Sequence, residues 1–232
     1  MAREITVKDI RMFSECPVRW YINSKKKNKR DYTTALKDIS TFFFCKLMSA
    51  NKITKGMLLS RIESIKPKKY KIRNVRKWML TLMKKFKDEK LNIRCINLPF
   101  QVILNGVKIV DKIDIIRKST YGVDIIMFDY SEKVDVKKLE NDPSFLIYIL
   151  GLSDIFKESV NSINIYNVPN GKLVDVSRRT DLMCDQMDEL KSILHNIIKL
   201  DITPKISLGC KHCDVQEDCF RSYYELEGEL NG

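Results

Sequence analysis

Apolar positions repeat at two different periods along the chain, and the change between them divides it. From Thr33 to about Lys90 they return every three or four residues: Leu36, Ile39, Phe43 and Leu47 in one run, and Ile72, Val75, Met79, Leu82, Met83 and Phe86 in another. That period belongs to helices with one buried face. Lys66-Pro67-Lys68 breaks the series, because proline cannot continue a helix, so at least two helices are predicted. Ahead of them, Thr6 with Asp9 three residues on has the form of a capping box, and Pro17 interrupts the chain just after Cys16. A short N-terminal helical element is expected there.

From Asn97 the pattern becomes that of strands. Phe100 to Leu104 and Val107 to Arg117 flank Asn105-Gly106, a pair that readily supplies the two positive-φ residues of a tight hairpin. Ser119 to Gly122 makes the next turn, and Val123 to Tyr130, rich in Ile, Val and Phe, reads as a central strand. Asp142-Pro143 can open a helix running to Phe156, with proline where its missing N–H costs nothing. Val160 to Val168 and Lys172 to Val176 form a second hairpin around Pro169-Asn170-Gly171, after which Thr180 caps a helix with Leu182, Met183, Met187, Leu190, Ile193, Leu194 and Ile197 on one side. The expected class is mixed α/β, a sheet flanked by helices. With no repeat, low-complexity tract or Gly/Ser linker, residues 1–232 read as one domain: a basic helical region 1–96, an α/β core 97–200, and a cysteine segment with tail 201–232.

Composition narrows the partners. The 232 residues carry 42 Lys+Arg against 30 Asp+Glu, net +12. The excess is local: residues 1–90 hold 25 basic and 8 acidic side chains, net +17, and residues 91–232 hold 17 and 22, net −5. Lys25, Lys26, Lys27, Lys29 and Arg30 form one cluster; Lys68, Lys69, Arg73, Arg76 and Lys77 lie in a second run. Such concentration points to a polyanion, DNA or RNA, as partner. Trp20, Tyr21, Tyr70 and Trp78 lie among these charges and either stack on unpaired bases or, as their helical spacing favours, pack in the core. No window approaches the roughly 18 uncharged apolar residues of a membrane helix, and the start is too polar for a signal peptide, so a cytoplasmic protein is expected.

Seven cysteines are too few for a disulfide scaffold in a chain of this length. Cys210, Cys213 and Cys219 stand as C-x2-C-x5-C, a spacing at which a tight turn and the next turn of chain bring three thiolates to one centre. Cys16, in a polar segment before Pro17, is the best fourth ligand, while His212 between two of the thiols leaves zinc open. Cys45, Cys95 and Cys184 read as small buried hydrophobes. Asp129 closes an otherwise apolar strand, where a carboxylate is costly unless paired or metal-bound.

Together, Cys-Pro-x-Arg-Trp near the N-terminus and C-x2-C-x5-C near the C-terminus, bracketing an α/β core, resemble the iron-sulfur nucleases of the RecB-like branch of the PD-(D/E)XK superfamily, which includes CRISPR-associated iron-sulfur exonucleases and the AddB nuclease domain. The resemblance implies a 4Fe–4S cluster on Cys16, Cys210, Cys213 and Cys219 that staples the two ends together. It also implies that KIVDKID, residues 108–114, and FDYSEKV, residues 128–134, carry the two active-site acids, Asp111 and Asp129, as ligands of Mg2+ or Mn2+. Such a metal stabilises charge on the scissile phosphate and activates water. This sequence departs from the pattern where the motif lysine is Ser131, where the N-terminal helices lack the histidine ligand, and where Gln-x-x-x-Tyr is Ser144-x-x-x-Tyr148. In an extended strand Lys133 would share a face with Asp129 and could replace the lysine. Two functions follow: a DNA-binding subunit of a replication, recombination or transcription assembly with a degenerate centre, or an active exonuclease on single strands or duplex ends. A zinc-dependent nucleic-acid binder of unrelated fold is a third. The Lys-, Ile- and Asn-rich composition fits a viral or mobile genome.

Overall fold

A computed structural model describes residues 4–25, 32–48, 54–65, 72–86, 92–176, 183–207, 210–211 and 213–219. Its centre is one mixed six-stranded sheet. The strands are β1 (Glu4–Ile5), β2 (Ile93–Leu104), β3 (Val107–Ser119), β4 (Gly122–Asp129), β5 (Val160–Asn167) and β6 (Lys172–Asp175). The order is β1-β3-β4-β5-β6, with β2 on β3. The β2–β3 hairpin turns through Asn105 (φ 51°) and Gly106 (φ 75°), the backbone that Asn-Gly is suited to adopt. β4 is central, antiparallel to β3 and parallel to β5.

The eight helices of the described residues cover the two faces. On one lie α1 (Val7–Glu15), α2 (Pro17–Lys25), α7 (Phe145–Phe156) and α8 (Met183–Lys199), whose Ile10, Phe13, Trp20, Ile147, Leu152, Leu190 and Leu194 pack on Ile109, Ile113, Val123 and Ile125 of the sheet. On the other lie α3 (Tyr32–Met48), α4 (Lys55–Ile65) and α5 (Ile72–Phe86), where Leu36, Ile39, Phe43, Ile62, Val75, Met79 and Leu82 meet Ile115, Ile126, Phe128 and Tyr166. The short α6 (Val136–Glu140) is capped by Asp135, whose carboxylate accepts the Lys138 N–H at 3.1 Å.

Local chemistry accounts for most of these boundaries. Thr6 and Asp9 close a reciprocal capping box at the start of α1. Asp142 and Pro143 make a turn that feeds α7 rather than its first residues: Asp142 accepts the Ser144 N–H on Oδ1 at 2.9 Å and Arg11 Nε on Oδ2 at 2.6 Å, and Ser144 is the N-cap. The expected cap Thr180 and Leu182 lie outside the described residues. Two cysteines depart from expectation: Cys45 and Cys184 are exposed, and Cys95 is half-buried. Cys45 follows the buried Phe44 by one helical step, about 100° around the helix, which turns it outward. Cys184 lies ahead of the buried stripe of α8, Leu190, Ile193, Leu194 and Ile197.

Candidate functional site

The site grows from an interruption in the ladder. One edge of β3 is paired with β2 over nearly its whole length. The other edge is shared: β1 pairs with Lys108 and Ile109, and β4 takes over at Ile115. Between them, residues 110–114 have no strand partner on that edge among the described residues, and β3 and β4 part. The sequence places two carboxylates, Asp111 and Asp114, in this gap.

Asp114 spans the divergence. Its side chain is only 6% exposed, its Oδ2 accepts the Phe128 N–H of β4 at 2.8 Å, and the Lys37 Nζ of α3 stands 3.8 Å from its Oδ1. Burial pushes its carboxyl above the ordinary aspartate range and the charge of Asp111 adds to this, while Lys37 and the Phe128 N–H pull it back without cancelling the rise. Asp111 takes the Tyr148 hydroxyl of α7 on Oδ2 at 3.2 Å and its neighbour's N–H, from Lys112, on Oδ1 at 2.7 Å. Burial, then the Asp111 charge, holds the Tyr148 hydroxyl well above the usual tyrosine range, so it is a donor at any physiological pH. Tyr148 is therefore both a core residue, edge-on to Phe100 at 5.5 Å, and the partner of the first motif acid.

A cavity of about 700 Å³ opens over the gap, lined by Thr6, Lys37, Asp38, Asn97, Asp111 and Asp114 among others. Asp129 is held separately, at the end of β4. It accepts from Ser131 Oγ at 2.5 Å and from Asn167 Nδ2 of β5 at 2.8 Å, its register partner. The strand on which Lys133 was expected to share a face with Asp129 ends at Asp129; residues 131–133 bend instead, and bring the Lys133 carbonyl within 2.8 Å of Ser131 Oγ. Sequence reasoning missed Lys37 and Asn167, which carry no motif signature and become partners of the acids only through helix packing and strand register.

The thiols lie near the other junction of the fold. Cys16 ends α1, and the tail returns to it: Lys205 Nζ donates to the Ser14 carbonyl at 2.8 Å and Arg19 Nε to Asp214 at 2.8 Å. Burial raises the Cys219 thiol, and the charges of Cys16, Cys213 and Cys210 raise it further, so all four cysteines lie within electrostatic reach. The Ser207 N–H points at Cys210 Sγ at 3.4 Å. Among the described residues no three Cys, His, Asp or Glu side chains are closed onto a common point as a metal group. The four thiols are neighbours that have not converged on one centre. His212 lies outside the described residues.

Of the basic candidates, Lys25 ends α2 with its ammonium 4.1 Å from the Tyr21 ring centroid. Arg73 and Lys77 are exposed on α5, and Arg76 pairs with Glu63 of α4. Lys26, Lys27, Lys29, Arg30, Lys68, Lys69 and Tyr70 lie outside the described residues. Trp20 is buried, edge-on to Phe13 at 5.2 Å, and Trp78 packs against the α3–α5 core. No helix among the described residues is long and apolar enough to cross a membrane.

No family model and no curated protein matches the sequence. Among solved structures, the chain is similar to a protein from Eubacterium rectale described as a "putative exonuclease", with TM-score 0.58 and 10% identity, over 93% of this chain and 88% of that one. The protein SSO0001 aligns over 93% of this chain and 84% of its own, with 14% identity and TM-score 0.47. The mixed α/β fold is thus one that this chain shares with the Eubacterium rectale protein.

Proposed function

We propose that this chain is a nucleic-acid-binding protein of RecB-like nuclease architecture, carrying a 4Fe–4S cluster and a catalytically degenerate acidic centre, and working as a subunit or accessory factor in a DNA-processing or transcription assembly. The observation that carries the binding role is on α5. Its Val75, Met79, Leu82 and Phe86 are buried against the sheet, while Arg73, Lys77 and Lys84, spaced by four and seven residues, form one exposed basic stripe. Lys85 adds to it at the helix C-terminus. A cationic ridge on a nuclease-like scaffold suits the sugar-phosphate backbone of DNA, single-stranded or at duplex ends.

Degeneracy is supported by how the acids are answered. Ser131, in the motif's lysine position, gives its hydroxyl to Asp129; Asn167 gives a second donor; Asp114 faces Lys37. These partners are protein groups where a hydrolase would hold Mg2+ or Mn2+, and the residues present do not fit such an ion as they stand. Cys16, Cys210, Cys213 and Cys219 do suit a cluster in donor type and number, and the Ser207 N–H directed at Cys210 Sγ is the kind of hydrogen bond that tunes cluster thiolates. The cluster would supply bonds between the two ends of the chain.

The test has two arms. End-labelled DNA with Mn2+ should stay intact; cleavage that disappears in Asp129→Ala identifies an active exonuclease instead. A triple variant Arg73→Gln, Lys77→Gln, Lys84→Gln should flatten the slope of log affinity against log salt by about 2 to 3, and an unchanged slope removes α5 from the interface. Iron and acid-labile sulfide in the purified protein distinguish the cluster from zinc.

A further inference from the structure

The gap in the β3 ladder is faced by a cation, Lys37, that no motif describes. Asp114 is nearly fully buried, and a carboxylate so placed requires a positive charge or several donors nearby. Among the described residues it has the N–H of Phe128 and the cation Lys37. Lys37 reaches it from α3, a helix fixed from both sides by Leu36 and Ile39, which are fully buried in the core against the sheet. The ammonium therefore sits where helix packing puts it, at the mouth of the cavity that Asp111 and Asp38 also line.

We infer that the Lys37 ammonium is the resident cation of this cavity, standing where a divalent ion would neutralise Asp111 and Asp114, so that the centre is metal-independent. This rests on the reading of the centre as non-catalytic and goes further: it names the residue that excludes the metal. Two positive groups cannot share one small acidic site, because at about 4 Å a +1 and a +2 charge repel strongly in a partly desolvated cavity. Lys112, also on the cavity wall, adds to the exclusion. Removing the ammonium leaves two carboxylates with a vacancy beside them, which is what Mn2+ requires.

The experiment is equilibrium Mn2+ binding to the full chain without DNA, by calorimetry and by electron paramagnetic resonance of free Mn2+. The wild-type protein should show no Mn2+ binding that depends on Asp111 or Asp114. Lys37→Met should gain at least about tenfold in Mn2+ affinity, equivalent to ~1.4 kcal/mol, and its melting midpoint, lowered in EDTA, should recover with Mn2+. Lys37→Met combined with Asp114→Asn should lose the gain, which separates this cavity from the thiols. Lys37→Arg keeps the charge and should remain blind to Mn2+. Wild-type binding that is lost in Asp111→Asn overturns the inference, as does a Lys37→Met protein with no gain. If Lys37→Met does not fold even with Mn2+, the wild-type measurement and Lys37→Arg decide alone. Failure of the binding role on α5 would show in the salt slope and leave these titrations unaffected; DNA cleavage would refute the non-catalytic reading directly.

Discussion

Asp124 is a second buried carboxylate in this sheet, and its circumstances are the reverse of those at Asp114. Burial alone would raise its carboxyl, but Asn161 Nδ2 at 2.9 Å, Ser162 Oγ at 2.8 Å and Arg117 at 3.2 Å together outweigh that and hold it below the ordinary range. A carboxylate with a lowered folded pKa contributes stability that is present above its unfolded value, near 3.8, and is lost as the pH falls through the folded value. Asp124→Asn should therefore cost about 1–3 kcal/mol at neutral pH, with the difference from wild type shrinking below about pH 4 in denaturant melts. A pH-independent difference would mean that the carboxylate charge does not matter. Both acids show what sequence can and cannot reveal at this scale. Asp111 and Asp129 stand out because each follows an apolar stretch in a strand pattern. Asp114, three residues from Asp111, stands in the same stretch, and only the parting of β3 and β4 separates its role from theirs. Lys37 follows the core-forming Leu36 in an ordinary amphipathic helix, so nothing in its neighbourhood marks it as the partner of an acid 77 positions later.

The elements that positioned the site differ in how visible they were. Long helices such as α3 and α5 announce themselves by period, and the β2–β3 hairpin by its Asn-Gly turn, because these signals are local. β1 is two residues long, with no periodicity to read, yet its parallel pairing at Lys108 and Ile109 sets one side of the gap. Its existence depends on a partner about a hundred residues away. The packing of α7 on β2 is likewise nonlocal and rests on one small residue. A Cβ built on Gly151 would come within 2.3 Å of the Phe100 ring, and Phe100 in turn packs on Tyr148, the partner of Asp111. Gly151→Ala should therefore destabilise the fold by about 1–3 kcal/mol despite the better helix propensity of alanine. It should also shift Tyr148, seen as a change in tyrosine near-ultraviolet circular dichroism. Unchanged stability would mean that α7 and β2 slide apart without cost, and the Tyr148–Asp111 contact would then owe nothing to this seat.

At the scale of the whole molecule, the two ends of the chain are brought together by contacts that are individually weak. Arg19–Asp214 is an exposed ion pair, which contributes at most about 1 kcal/mol, and the Lys205 hydrogen bond to the Ser14 carbonyl is exposed as well. The tail from Asp201 to Ser207 has no helix or strand of its own, and of the tail's described residues only Val215 is deeply buried. The order of the cysteines along the sequence was legible, but their gathering depends on the path of the tail across α1, which no local pattern specifies. Weak polar contacts do not hold such a segment; a centre ligated by Cys16 and the three later thiols would, because ligation free energy becomes folding free energy for whatever it fastens. In the proposed cluster, Cys16→Ser would remove one ligand at the α1–α2 junction while leaving Phe13 and Trp20 in place. Iron content should fall, and limited proteolysis should then cut between residues 201 and 219 well before the sheet, with the remaining fragment still folded. Cys45→Ser, on an exposed position of α3 away from the junction, should change neither. If Cys16→Ser keeps its iron and its protease resistance, the fourth bond comes from another residue, and the head and tail of this fold are held by packing alone.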